Sequence, residues 1–176
     1  MKTIIAILLV IAGVIALLLI IALFMKKEHF VNREIIINAS RQKVFDFLKL
    51  LKNQEQFNKW AKADTDRVEG SKGTDGTVGY IYTWSGNGKA GNGEKEIKNI
   101  IDGKRIETEI RFEKPMKVTS SFTMETESLS DNQTKVTLIN SGKLNYPMNI
   151  MIPMAEKNFA KDMDESLSNL KTILEK

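Results

Sequence analysis

The sequence predicts an α+β fold, in which a curved antiparallel sheet wraps around one long C-terminal helix, together with a separate N-terminal membrane helix. Three observations support this prediction. Residues 3–25 contain no charged side chain, residues 105–113 alternate between apolar and polar side chains, and apolar residues between 159 and 174 recur at steps of three and four. These patterns are typical of a membrane-spanning helix, a half-buried strand and an amphipathic helix.

The apolar run at residues 3–25 is long enough to cross a membrane. As a helix it spans roughly 33 Å, whereas the hydrocarbon core is roughly 30 Å thick. A cleaved signal peptide is the alternative, but the run exceeds the roughly 7–15 residues of a signal h-region, and no small-residue cleavage site precedes Lys26. We therefore expect a membrane anchor over residues 1–27 and a single folded domain over residues 28–176.

The charges that flank the anchor bear on the side of the membrane. Lys2 precedes the apolar run, whereas Lys26, Lys27 and Arg33 follow it. The positive-inside rule therefore favours a cytoplasmic domain, by only a charge or two. The opposite orientation stays open, because a very short N-terminus could remain inside and send the domain outwards.

The composition excludes several classes of function. The chain has no cysteine and one histidine, His29, which leaves no thiolate nucleophile, no cysteine metal site and no histidine pair for zinc. Its net charge of +4 is too weak for a nucleic-acid surface, which needs clustered lysine and arginine. We expect no cofactor, no metal and no nucleic-acid partner, and we interpret His29 as an interfacial anchoring residue beside Lys26 and Lys27.

Beyond the anchor, the predicted order is one strand, two short helices, about five antiparallel strands and one long helix. The first strand covers residues 30–37, Ser40 is a good N-cap for the next helix, and a second helical piece carries Phe57 and Trp60. The later strands cover residues 77–84, 94–101, 105–113, 118–124 and 135–141. The long helix begins near Pro153 and presents an apolar stripe of Phe159, Met163, Leu167, Leu170 and Leu174.

Several short segments occur in an order that is typical of one superfamily. They are VNREIIINAS (31–40), VFDFL (44–48), FNKW (57–60), GYIYTW (79–84), GEKEI (93–97), FEKP (112–115) and LSNLK (167–171). In this order they resemble the START-like, or Bet v 1-like, superfamily of SRPBCC proteins, and within it the polyketide cyclase/dehydrase and lipid-transport branch. The resemblance implies the helix-grip fold, with a deep cavity between the sheet and the C-terminal helix in which relatives hold lipids or other hydrophobic molecules.

In that architecture the apolar face of the sheet is both the core and the wall of the cavity. We expect aromatic and methionine side chains to line the cavity, with ordinary core packing as the alternative for each ring. The candidates are Trp60, Tyr80, Tyr82, Trp84, Phe112, Phe122, Met151, Phe159 and Met163. Among them, the hydroxyl of Tyr82 and the N–H of Trp84 are suited to orient a polar end of the ligand.

Glu94 and Glu96 lie two residues apart on a predicted strand and therefore on one face of the sheet. If that face lined the cavity, the pair could perform acid–base chemistry of the cyclase/dehydrase kind, with Tyr82 as a further candidate. We favour a solvated face, because lysines lie nearby at Lys95, Lys98 and Lys104.

Two further segments are unusual. Residues 86–91 match G-x-G-x-x-G, but strand residues follow where a nucleotide site needs a helix, so we interpret them as a hairpin loop. Residues 146–154 contain three methionines and two prolines. We interpret this stretch as a lead-in that packs on the core, with a mobile gate over the cavity or a membrane-touching patch as alternatives.

The sequence therefore predicts a membrane-anchored domain that binds a hydrophobic small molecule or lipid in an internal cavity, with the bilayer and that ligand as its partners. A cyclase/dehydrase-type enzyme is the second hypothesis and requires acid–base groups inside the cavity. A non-catalytic regulatory or interaction module is the third, which an occluded cavity beside an exposed apolar patch would favour.

Overall fold

The structure, a computed structural model, describes residues 2–63, 66–86, 91–114 and 116–176, and of Ala63 it describes the backbone alone. The helices are α1 (Lys2–Phe24), α2 (Arg41–Lys49), α3 (Leu51–Phe57), α4 (Lys59–Ala63) and α5 (Ile152–Leu174), and a short 3₁₀ turn (Met148–Met151) precedes α5. The strands are β1 (Glu28–Ile37), β2 (Val68–Lys72), β3 (Ile81–Ser85), β4 (Asn92–Ile101), β5 (Arg105–Lys114), β6 (Val118–Ser130) and β7 (Gln133–Lys143).

All seven strands form one antiparallel sheet in the order β1-β7-β6-β5-β4-β3-β2. Glu28, at the start of β1, lies opposite Lys143, at the end of β7. We call the end of the sheet that contains this pair the α1 end, and the opposite end, where β1 finishes at Ile37, the far end. The sheet and its C-terminal helix confirm the predicted fold class.

Helix α5 runs from the α1 end to the far end, and a glutamate attaches it to β1 at each end. The Glu156 carboxylate accepts a hydrogen bond from the Phe30 N–H at 3.1 Å. At the far end, the Glu175 carboxylate accepts one from the Asn38 N–H, just beyond β1, at 2.6 Å. The ends of α5 are therefore held against the edge strand.

The hydrophobic core fills the space between α5, the sheet and α2. Ser40 caps α2 by accepting a hydrogen bond from the Lys43 N–H, as the sequence predicts. The apolar stripe of α5 is buried there at Met163, Leu167, Leu170 and Leu174, together with Phe45 of α2. Ile37, at the far end of β1, is also fully buried in this cluster. The far end of the sheet is therefore closed by packed side chains.

Helix α1 projects from the domain, and all of its described side chains except Ala22 are exposed or half-exposed. By length and composition it could cross a membrane. The Asn149 side-chain amide donates to two carbonyls at its C-terminal end, those of Ala22 at 2.7 Å and Met25 at 3.1 Å. Lys26 also forms an ion pair with Glu156 at 2.7 Å. The end of α1 is thus attached to the segment that begins α5.

The structure differs from the predicted elements at three places. Strand β2 was not predicted, because its five residues are all exposed and show no apolar alternation. Residues 77–80 precede β3 and are not part of it. Gly79 has a positive φ of 86°, so the extended backbone begins only after this residue. The second helical piece is two helices, because the backbone turns extended at Asn58.

The G-x-G-x-x-G segment lies partly outside the described residues, at 87–90. On either side of that gap, Ser85 of β3 pairs with Asn92 of β4, and the Gly86 N–H donates to the Gly91 carbonyl at 3.2 Å. A strand rather than a helix follows the third glycine, so the context of a dinucleotide site is missing.

We predict that Leu170→Ala lowers the free energy of unfolding by about 2–5 kcal/mol, because it leaves a cavity where α5 packs on the sheet. The measurement is urea unfolding of the full chain in non-ionic detergent, followed by tryptophan fluorescence. Ser168→Ala is the matched control, since Ser168 is exposed on the same helix. Equal midpoints for the two variants would contradict the role of α5 in the core.

Candidate functional site

An internal cavity of about 380 Å³ lies between the concave face of the sheet and α5. Its volume falls within the roughly 300–1,000 Å³ of small-molecule sites. Seven of the nine side chains predicted for a ligand site line it: Trp60, Trp84, Phe112, Phe122, Met151, Phe159 and Met163. The apolar face of the sheet, the start of α5 and the helices α3 and α4 meet around this space.

Several residues that line the cavity lie at the α1 end of the sheet. Val118 begins β6, Leu144 follows β7, and Met116 lies between β5 and β6. Trp60, Met116 and Met151 line the cavity and are each 39% exposed, which places them at its mouth. The cavity therefore opens at the end of the domain from which α1 projects.

Tyr80 and Tyr82 do not line the cavity, contrary to the prediction. Both are buried in a second apolar cluster with Leu51 and Ile97, beneath α3. Alternation predicts which face of the strand a side chain occupies, but it does not tell core from cavity wall on that face. Tyr82 stacks on Trp84 with ring centroids 6.4 Å apart and so packs beside the cavity wall.

The Tyr82 hydroxyl belongs to a charged cluster at the side of the cavity. Arg67 donates to it at 3.1 Å and is bound to the carboxylates of Glu55 and Glu69. Burial, together with the hydrogen bond to Glu69, raises the pKa of Tyr82 far above its usual range. Burial by itself would lower the pKa of Arg67, but the hydrogen bonds and negative charges of Glu55 and Glu69, with a contribution from Tyr82, together outweigh it and raise that pKa. Tyr82 is therefore poorly suited to act as a base at neutral pH.

Glu94 and Glu96 lie on the outer face of the sheet, away from the cavity. Both bind Arg111, at 2.6 Å and 2.8 Å, and Glu109 binds the same guanidinium. The hydrogen bond from Arg111 lowers the pKa of Glu96, which keeps this carboxylate ionised. The two glutamates form an ion-pair cluster on the solvated face, as the preferred interpretation has it, and they do not converge on a ligand.

Lys95 is the main residue that the sequence interpretation misplaced. The sequence interpretation places Lys95 with Lys98 and Lys104 on the solvated face, whereas its side chain is buried and lines the cavity. Its ammonium donates to the Gln54 side-chain oxygen and lies 5.7 Å from the centre of the Phe122 ring. The signal was present in the sequence, because alternation places Lys95 opposite to its glutamate neighbours.

The partner of Lys95 is held in place by the local structure of α3. The Asp75 carboxylate accepts hydrogen bonds from the backbone N–H groups of Leu51 and Lys52, at 2.8 Å and 3.1 Å, and so caps the start of this helix. The Gln54 amide nitrogen donates to the Leu48 carbonyl at 2.7 Å. A carbonyl can only accept, so the Gln54 oxygen must face Lys95.

A second polar group lies across the sheet, around His29. This residue is buried in the cavity wall and is not an interfacial anchor. Its Nε2 lies 3.0 Å from the Asn140 side-chain oxygen, and its ring stacks on Phe159 at 5.6 Å. The Asn140 amide nitrogen donates to the Ser120 hydroxyl at 2.7 Å. In the described part of the chain, no group of three carboxylate or histidine side chains could hold a metal ion.

Two glycines make room for the rings of the cavity wall. A Cβ on Gly142 would lie 2.6 Å from His29 Cε1, and a Cβ on Gly93 would lie 2.7 Å from Trp84 Cζ2. Both distances are shorter than a van der Waals contact. The absence of a side chain at each glycine is therefore what lets the rings of His29 and Trp84 pack this closely against the neighbouring strands.

The methionine-rich segment has two roles in the structure. Met151 lines the cavity, and Asn149 is fully buried where it caps α1. Met154, by contrast, is 57% exposed. The sequence predicts that this segment packs on the core before α5. Asn149 and Ile152 are buried in this way, whereas Met151 and Met154 are not.

We predict that Lys95 makes stability pH-dependent. Burial lowers the pKa of Lys95 from 10.5 to about 8, with the charge of Glu55 opposing the shift. Between these values the unfolded chain binds more protons than the folded one, so the free energy of unfolding rises with pH. At about 1.4 kcal/mol per pKa unit, the rise is on the order of a few kcal/mol.

The measurement is the difference in unfolding free energy between the wild type and Lys95→Met, taken from pH 8 to pH 10.5. Lys98→Met is the control, because Lys98 lies on the same strand but is exposed and paired with Glu96. A difference that stays constant over this range would show that Lys95 is not buried as an ionisable group.

Several solved structures have a fold similar to that of this chain. The chain is similar to protein CV1439 from Chromobacterium violaceum, with a TM-score of 0.61 and 14% identity over 84% of this chain and 98% of that one. It is similar to the Aha1 dimer from Colwellia psychrerythraea, with a TM-score of 0.55 and 20% identity over 83% and 96%. For Ara h 8.0201 the TM-score is 0.54, with 14% identity over 81% and 98%. These likenesses concern the fold alone.

The family is established by the sequence. The chain matches no curated protein sequence. Residues 28–175, however, match the model of a family described as polyketide cyclase/dehydrase and lipid transport. This match runs from the start of β1 to just beyond the end of α5 and so covers the whole sheet and the cavity. The chain therefore belongs to the polyketide cyclase/dehydrase and lipid-transport family.

Proposed function

We propose that this protein is anchored in a membrane by α1 and binds a hydrophobic small molecule or lipid, taken up from the bilayer, in the cavity beneath α5. The observation that carries the proposal is the position of the cavity mouth, at the end of the sheet from which the apolar helix α1 projects. Family membership supports the same class of ligand.

The chemistry of the cavity wall favours an apolar ligand. Aromatic and aliphatic side chains make up most of the lining, for example Phe112, Phe122, Ile110 and Leu138. Burial of apolar surface contributes about 25 cal/mol per Å², and a few polar groups in the wall suffice to orient the ligand.

The contacts of α1 support uptake directly from the membrane. Asn149 caps the end of α1 and lies two residues before Met151 at the cavity mouth. The Lys26–Glu156 ion pair joins the same two regions. With α1 in a bilayer, these contacts would keep the mouth close to the membrane surface, where an apolar ligand is concentrated.

The rim of the mouth has the composition of a membrane-contacting surface. Met154 and Tyr146 are exposed, and both lie within five residues of the mouth residue Met151 along the chain. Methionine adapts to irregular apolar surroundings, and tyrosine is favoured at the boundary between lipid and water. Such a rim could contact the bilayer without a fixed complementary shape.

The placement of the candidate catalytic groups favours binding over a cyclase/dehydrase reaction. Glu94 and Glu96 are bound to Arg111 on the outer face. Tyr82 does not line the cavity, and its hydroxyl accepts a hydrogen bond from Arg67. The proposal therefore assigns the cavity to ligand binding.

We expect Ala155→Trp to remove most of the lipid or other apolar ligand that co-purifies with the full chain in mild detergent. Ala155 lines the cavity at the start of α5, so an indole there would fill the mouth. The measurement is mass spectrometry of the extracted ligand per mole of protein. Lys161→Trp is the control, because Lys161 is exposed on the same helix. No bound ligand in the wild type, or equal amounts in both variants, would refute the proposal.

The position of the mouth is testable with single cysteines, because the chain has none of its own. A bimane label on Met154→Cys should be quenched by nitroxide-labelled phospholipids in nanodiscs, whereas a label on Asn132→Cys, in the far turn between β6 and β7, should not. Adding Asn149→Ala should weaken the quenching at position 154, because it removes the cap on α1. Equal quenching at both labelled sites would contradict a mouth that faces the membrane.

A further inference from the structure

The Lys95 ammonium is buried in the cavity wall, and among the described residues no carboxylate forms an ion pair with it. Among the described residues, the acceptor of the Lys95 ammonium is the neutral side-chain oxygen of Gln54. An ammonium has three donors, and one such acceptor leaves the others available. Burying an ammonium is costly unless an opposite charge and further hydrogen bonds compensate for the lost water.

Among the described residues, three further charged groups of the cavity lining form ion pairs, and the remaining one, Lys114, is exposed to solvent rather than buried. Glu55 forms an ion pair with Arg67, and Asp162 forms one with Lys59 at 2.9 Å. Glu55 lies close enough to favour the charged form of Lys95, but its carboxylate is bound to the guanidinium. Lys95 thus differs from these groups, because its partner is uncharged.

The position of Lys95 is suited to the polar end of an amphiphile. It lies three residues inside β4, which is roughly 10 Å from the α1 end of the sheet. On the adjacent strands it is opposite Ile110, and its ammonium lies against the Phe122 ring. A ligand whose head group reaches Lys95 would therefore place its apolar part against these side chains.

We propose that the ligand of this cavity is a monocarboxylic amphiphile, such as a long-chain acid, whose carboxylate is bound by the Lys95 ammonium beside Gln54. The inference rests on the proposed binding function and specifies its ligand class. A single carboxylate matches the one buried ammonium that, among the described residues of the cavity lining, has no ion-pair partner. A phosphate monoester is disfavoured, because it carries a larger negative charge than a carboxylate and would lie near Glu55, which also lines the cavity.

The lysine is suited to this role at neutral pH. Burial lowers the pKa of Lys95 to about 8, so the ammonium form still predominates below that pH. A bound carboxylate would stabilise the ammonium form further, as an opposite charge at close range does.

The test is competition between two matched probes, dodecanoic acid and dodecanol, for the full chain in a non-ionic detergent. Bound probe is read by native mass spectrometry after release from the micelle. The wild type should prefer the acid by about 10- to 100-fold, the range expected of a charge-assisted hydrogen bond. Lys95→Met should lose this preference and still bind the alcohol, whereas Lys98→Met should behave as the wild type.

The outcomes separate this inference from the binding function on which it rests. Equal binding of acid and alcohol by the wild type would overturn the carboxylate assignment and leave the binding function standing. An acid preference that persists in Lys95→Met and in Lys95→Gln would also overturn it. Binding of neither probe by the wild type would count against both proposals.

Discussion

The attachment of α5 to the edge strand β1 is the constraint on which the rest of the domain depends. Two carboxylates, of Glu156 and Glu175, accept backbone hydrogen bonds near the two ends of β1 and hold the helix along the whole length of the strand. The pKa of both carboxyls is lowered by hydrogen bonds from lysines, Lys26 and Lys171 respectively, so both remain acceptors at neutral pH. A sheet that packs on a helix held in this way encloses a fixed space.

Bulky side chains fill one end of that space and leave the other end open. Towards the far end, α2 supplies Phe45 and Leu48, and the last turns of α5 supply Leu170 and Leu174, so the interior is packed. Towards the α1 end, the short helices α3 and α4 border the interior without filling it, and the rings of Trp84 and Phe112 meet edge-on at 5.7 Å and line open space. The cavity is thus the unfilled end of the same interior that forms the core.

The polar groups in the cavity wall are held by neighbours that leave them little freedom. Gln54 is oriented by the Leu48 carbonyl, and Asn140 by Ser120 and the Ser121 carbonyl. The Leu48 and Ser121 carbonyls can only accept hydrogen bonds, and the Ser120 hydroxyl is itself bonded, so both amides have fixed orientations. The wall therefore presents Lys95 and His29 in defined positions. Preorganised polar groups of this kind select among ligands, whereas the apolar wall supplies most of the binding free energy.

The amino-acid sequence by itself determined the apolar helix, the long amphipathic helix and most of the strands, because periodicities of 3.6 and 2 are local consequences of backbone geometry. It also indicated seven of the side chains that line the cavity, since apolar side chains on the inner face form either the core or the cavity wall. Only the tertiary structure decided that Tyr80 and Tyr82 pack in the core while Lys95 and His29 face the cavity. The burial of a side chain depends on what packs opposite it, and for Lys95 that is Gln54 on α3, 41 residues away along the chain.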